Sequence, residues 1–156
     1  MQGSPEVVDV LNEVLAAELT VVNQYFLDAR MLENWGYDRL GKHFYDESIG
    51  EMKDADELIE RILFLDGMPN LQRLLAVRVG ETPVEKLRLA LEAEHEAIVR
   101  LNEGIAVCVA QGDNGSRDLL AEILEGEEGH ADWLETQLSL VGELGEGLYL
   151  AQQTHD

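Results

Sequence analysis

Four glutamates at matched intervals constrain this chain more than any other feature. Glu18 precedes Glu51 by 33 residues, and Glu94 precedes Glu127 by the same 33. The two pairs are offset by 76 positions. That offset also brings Leu11 onto Leu87, Leu15 onto Leu91, Ala55 onto Ala131 and Leu58 onto Leu134. The chain therefore reads as one helical hairpin used twice, with a lone Glu on its first helix and a Glu-x-x unit on its second. In the second copy the unit is Glu127-x-x-His130, and in the first it is Glu51-x-x-Asp54. Residues three apart on a helix project to one side, about 60° from each other, so both side chains can reach one cation. Packing two such hairpins together gathers four carboxylates in one core. Buried anions are costly unless they are paired or bind a cation. A single Glu-x-x-His is common on solvated helix surfaces; the shared spacing of all four acids is what points to a metal site.

The local signals predict four long helices. Ser4 is a good N-cap with Pro5 in the first turn, and apolar residues at helical spacing run from Val7 through Tyr25, interrupted by Glu18. This first helix is expected to run to about Asn34, with Gly36 ending it. A second is expected from Tyr37-Asp38 to about Leu65, stopped by Gly67 and Pro69, with Gly50 tolerated inside it. Thr82-Pro83-Val84-Glu85 is a capping-box start for a third, reaching about Gln111. Gly112-Asp113-Asn114-Gly115 reads as a turn, Ser116 as the opening of a fourth helix to about Val141, and Leu148-Tyr149-Leu150 as a short fifth. Short turns make the helices within each hairpin antiparallel. The middle connection, residues 67 to 82, spans at most ~55 Å when extended, and a 28-residue helix is ~42 Å long. The link can therefore run the length of the bundle, giving an all-α, up-down-down-up four-helix bundle in a single domain over 1–156.

Composition agrees with aliphatic helix packing: 46% of residues are apolar and only 6% aromatic. The formal charge of −21 sets the surface against nucleic acid and anionic membranes, and in favour of cations. The single cysteine, Cys108, excludes an internal disulfide and sits in an apolar helical run, as a buried inert thiol would. The first residues lack an apolar signal core and no run approaches a membrane span, so a cytoplasmic protein is expected. No Cys-x-x-Cys pair, phosphate loop or Gly-x-Ser-x-Gly elbow is present.

Three stretches carry a family likeness: NQYFLDARMLENWG (23–36), ESIGEMKDADELIERILFLDGMPNLQ (47–72) and EILEGEEGHADWLETQL (122–138). Over nearly its whole length the chain resembles bacterioferritin, a ferritin-like di-iron family. The resemblance implies a 24-subunit hollow shell that stores ferric iron after Fe(II) oxidation by dioxygen or peroxide. It implies haem b held at two-fold dimer interfaces by a Met from each subunit, and a ferredoxin-type reductant for iron release. Carried over by position, the di-iron ligands would be Glu18, Glu51, Glu94, Glu127 and His130, with Tyr25 as their near neighbour. Met52 would be the haem ligand, with Leu19, Phe26 and Tyr45 lining that interface. Hard carboxylates with imidazole suit Fe(II) and Fe(III) in any case, and an interface thioether is a sensible soft haem ligand.

The chain departs from the family pattern at one ligand position, where Asp54 replaces the usual His. Asp has a shorter arm and adds negative charge. Asp46 and Gly50 replace a His and an Asp that hold inner-surface iron in the family, and Asp28 replaces a frequent His. One iron position, formed by Glu18, Glu51 and Asp54, is thus expected to be weaker than that of Glu94, Glu127 and His130. The alternative is a haem-bearing storage subunit with weak or absent ferroxidase activity that co-assembles with a second, active bacterioferritin subunit. A second rival is a metal-free structural bundle. The acidic charge without a basic tail disfavours a DNA-protecting relative, and the single cysteine a rubredoxin-bearing peroxidase. Trp133, three residues after His130, is expected to pack near it; His95 is expected off the site face and His155 in a frayed tail. His43 has no partner identifiable from sequence.

Overall fold

A computed structural model describes residues 1–155. Its elements are α1 (Pro5–Asn34), α2 (Asp38–Phe64), α3 (Pro83–Ala110), α4 (Asn114–Leu144) and α5 (Glu146–Ala151), with no strand among the described residues. α1 packs along α2 and α3 along α4, while α1 meets α3 and α2 meets α4. This is the up-down-down-up bundle with a long middle crossover and a short fifth helix.

The capping residues read from sequence act as caps. Ser4 accepts from the Val7 amide, and Thr82 accepts from that of Glu85 at 3.1 Å. α4 starts earlier than Ser116: Asp113 lies outside the helix and its carboxylate accepts from the Ser116 amide at 3.0 Å, so Asn114 and Gly115 are already helical. α4 also passes through Gly142 and ends at Gly145, whose φ of +84° suits a residue without a Cβ. Gly147 lies inside α5. At the end of α2 the left-handed residue is Asp66, at φ +60°, and not Gly67. Gly67 is needed for proximity instead, since a Cβ there would meet Val8 Cγ1 at 2.8 Å.

The crossover runs alongside α1 in the same direction. The Asn70 amide donates to Asn12 Oδ1 at 2.8 Å, the Leu75 amide to Thr20 Oγ1 at 2.8 Å, and the Arg78 amide to Gln24 Oε1 at 3.4 Å. These side chains satisfy backbone donors that have no helix of their own.

The bundle interior is divided. One apolar cluster holds Val7, Leu11, Leu15, Leu58, Ile62 and Leu120, together with buried Cys108. The other holds Tyr25, Leu32, Phe44, Leu87, Leu134 and Tyr149. Along α1, Glu18 falls between the two groups, and the acidic centre forms at that level.

Candidate metal centre

Each helix of the bundle brings one glutamate inward: Glu18 from α1, Glu51 from α2, Glu94 from α3 and Glu127 from α4. All four are buried, with exposures of 1% to 4%. The cause is the helical stripe. Val14 and Leu15, Ala55 and Leu58, Ala90 and Ala97, Ile123 and Ala131 flank them within one or two turns and are buried, so the acids between them go inside as well. Glu18, Glu51, Asp54 and Glu127 each offer an oxygen within 4.8 Å of the others. Asp54 thus occupies the same group as three of the glutamates, though it is only half-buried.

His130, one turn after Glu127, places Nδ1 2.9 Å from Glu94 Oε1. The Tyr25 hydroxyl donates to the same oxygen at 2.5 Å and lies 3.4 Å from His130 Nδ1. The expected neighbour of the acids is therefore directly bonded to one of them. The base paired to the cluster is an imidazole.

The electrostatics describe a site that holds protons when it holds no cation. Burial, then the charge of Glu127, raises the Glu18 carboxyl well above the usual carboxylate range. Burial and the Glu18 charge do the same to Glu51. Glu127 is pushed strongly upward by burial and by its hydrogen bond to Glu94. Glu94 goes the other way. Burial opposes its ionisation, but hydrogen bonds from Glu127, His130 and Tyr25 hold it below the ordinary value. Asp54 is raised to about 7 by burial and then by Glu57 and Glu122. The Tyr25 hydroxyl is raised by burial and by the Glu94 charge.

Two buried oxygens, Glu18 Oε2 and Glu94 Oε2, have no hydrogen-bond partner. Such orphaned acceptors in a buried carboxylate cluster are what a hard or borderline cation would satisfy. The donor set is oxygen-rich with one imidazole and suits iron.

Met52 follows Glu51 but points outward and is 50% exposed. Phe26 and Tyr45 are exposed with ring centroids 6.3 Å apart, and Arg30 lies over both rings. Leu19 is only partly buried, packed against the first apolar cluster. Asp28 is buried and paired with Lys86 Nζ at 2.9 Å. His95 is exposed and faces Glu135, away from the centre.

The sequence pattern missed His43 and Glu47. His43 Nε2 lies 2.9 Å from His130 Nε2, and its ring stacks on Trp133 with centroids 3.5 Å apart. Glu47 Oε2 lies 3.7 Å from His130 Nδ1. Their i,i+4 spacing on α2 was the available signal, but nothing in it names α4 as the partner.

No helix of the described residues is long and apolar enough to cross a membrane. The family model described as "Ferritin-like domain" matches residues 8–143. The chain is 49% identical over 152 residues to "Bacterioferritin" of Mycobacterium leprae (strain TN), covering 97% of this chain and 96% of that one. It is 50% identical over 151 residues to "Bacterioferritin" of Streptomyces coelicolor, covering 97% and 90%. It is 46% identical over 149 residues to "Bacterioferritin" of Brucella melitensis, covering 96% and 92%. With these likenesses spanning nearly the whole of each partner, and a bundle that buries one glutamate from each helix, the chain belongs to the bacterioferritin family of ferritin-like proteins.

Proposed function

We propose that this chain is an iron-storage subunit that oxidises Fe(II) at the buried acidic centre. It assembles with 23 further subunits into a shell that keeps the ferric product, and it shares haem b with a neighbour through Met52. Glu18, Glu51 and Asp54 would hold the first iron and Glu94, Glu127 and His130 the second, and Glu127 also offers an oxygen to the first group. Iron bound there in pairs supplies two electrons at once to dioxygen or peroxide. The chain's own part is positional and protonic. Glu18, Glu51 and Glu127 would release their protons as they bind, Glu94 is already ionised, and the negative charge of all four compensates the cations. Tyr25 fixes the Glu94 carboxylate through its hydroxyl. The two apolar clusters on either side confine the chemistry to the layer between them. The observation that carries this reading is four glutamates, one per helix, buried together with orphaned oxygens.

Asp54 favours a second reading, in which this subunit stores iron and carries haem but oxidises Fe(II) poorly, mixing with a fully active subunit. Anaerobic Fe(II) titration followed by aerobic stopped-flow oxidation separates the two. The principal reading expects an oxidation burst in the homomeric protein, with fewer than two tight irons per chain. Two equal tight sites would contradict a weakened first position. A large rise in oxidation rate in Asp54→His, from a feeble starting rate, favours the second reading. Absence of metal binding altogether would remove both. Exposed Met52, Phe26 and Tyr45 give the haem proposal its surface, and the visible spectrum of purified protein tests it directly. A ferredoxin-type reductant remains the proposed partner for iron release.

A further inference from the structure

His43 and Glu47 stand one turn apart on α2 and both lie against the ring of His130 on α4. The two Nε2 atoms, 2.9 Å apart, face each other directly. Two lone pairs at that distance repel and two N–H groups clash, so one ring donates its N–H to the other while no ion is bound. The rings are not free to turn away. Trp133 stacks on His43 at an interplanar angle of 11°, and Phe44 meets the same ring edge-on with centroids 5.4 Å apart.

We propose that His43, Glu47 and His130 form a cation site separate from the four-glutamate centre, selective for a borderline divalent ion such as Zn²⁺ or Fe(II). One ligand atom from each lies within 4.8 Å of the other two. With metal–nitrogen bonds of about 2.0–2.1 Å, a separation of 2.9 Å between nitrogens corresponds to adjacent ligands about 90° apart, as in six-coordinate ferrous sites, and tetrahedral zinc needs the rings to part by about 0.4 Å. Two imidazoles with one carboxylate is a donor set shared by zinc and non-haem ferrous sites with open positions. The open positions face water. Glu47 keeps 32% of its side chain exposed, and His43 lines a cleft of about 310 Å³ with Arg39, Gln137 and Gln152. The site shares only His130 with the acidic centre: its Nε2 meets His43, while its Nδ1 lies 2.9 Å from Glu94 Oε1 and 3.7 Å from Glu47 Oε2.

The test is anomalous diffraction at the zinc edge on crystals of the full chain soaked in Zn²⁺, with Co²⁺ titration in solution. The expected result is zinc in contact with both His43 and Glu47, and loss of that zinc in His43→Ala and in the near-isosteric Glu47→Gln. Each variant should take up one fewer Co²⁺ per chain than the unaltered protein. No zinc between His43 and Glu47 at saturation, or zinc there that survives both substitutions, would overturn the proposal. Metal among Glu18, Glu51 and Glu127 is read in the same maps. Zinc at His43 with none at the glutamates would support this site while refuting the storage reading.

Discussion

At the scale of single residues, the protein holds two buried charge arrangements with opposite logic. Lys86 and Asp28 are both nearly inaccessible and compensate each other, with Lys86 Nζ also 5.4 Å from the Trp35 ring centroid and 3.2 Å from Met31 Sδ. Burial still raises Asp28 to about 6 against the pull of Lys86. Removing one member strands the other, so Lys86→Met should cost about 3–5 kcal/mol by denaturant unfolding; a cost under 1 kcal/mol would mean that Asp28 finds water. The acidic centre sets the one imidazole of His130 against four glutamates. Burial, then the charges of Glu57 and Glu122, push the Asp54 carboxyl up to about 7 from the ordinary 3.8. The folded chain therefore binds this proton more tightly than the unfolded chain. The stability it contributes is complete below about 3.8 and is lost as pH rises through about 7. Glu18 and Glu51 act in the same direction. The melting temperature of metal-free protein should fall over this window, and less steeply in Asp54→Asn; identical slopes would contradict the assignment.

At the scale of elements, helix ends depend on side chains that sequence pattern ranks poorly. Asp113 looks like part of a turn, yet it caps α4 through the Ser116 amide and hydroxyl and receives Arg61 from α2 at 2.8 Å. It joins the start of one helix to the body of another. Asp113→Ala should lower stability by about 1–2 kcal/mol in chemical denaturation, the range of a lost N-cap. A change indistinguishable from zero would show that the Arg61 contact and the cap are both solvent-replaceable. The α1 and α3 starts were legible because Ser4-Pro5 and Thr82-Pro83 carry their cap beside a proline. The α4 end was not, because Gly142 alone looks like a stop while the packing of Val141 and Leu138 against the second cluster carries the helix past it.

At the scale of the whole molecule, the acidic layer is a structural liability that a bound cation would relieve. A ligand that binds only the folded state adds stability that grows with the logarithm of its free concentration over Kd, about 2.7 kcal/mol at one hundred times Kd. Chelation should therefore lower the melting temperature, and Glu127→Gln should blunt the rise on adding Zn²⁺. A melting curve indifferent to metal would count against the centre. Met52 belongs to this scale too, since the proposed haem site needs its exposed thioether to meet a second subunit. Met52→Leu should abolish haem absorbance while leaving helicity and the size-exclusion volume unchanged; retained haem would move the ligand elsewhere.

The sequence by itself determined the four-helix plan, the internal repeat and the inward position of Glu18, Glu51, Glu94 and Glu127. Helical periodicity is local, and a stripe that buries Leu11, Leu15, Leu87 and Leu91 must bury the acids set into it. It also marked Tyr25 and His130 as neighbours of that layer. The tertiary structure alone decided which partners these groups have. Tyr25 bonds Glu94 across 69 positions of chain, and His43 meets His130 across 87. Such contacts depend on the rotation and depth at which α2 and α4 pack. A few tenths of a turn, invisible in the one-dimensional pattern, decides whether an imidazole meets another imidazole or water.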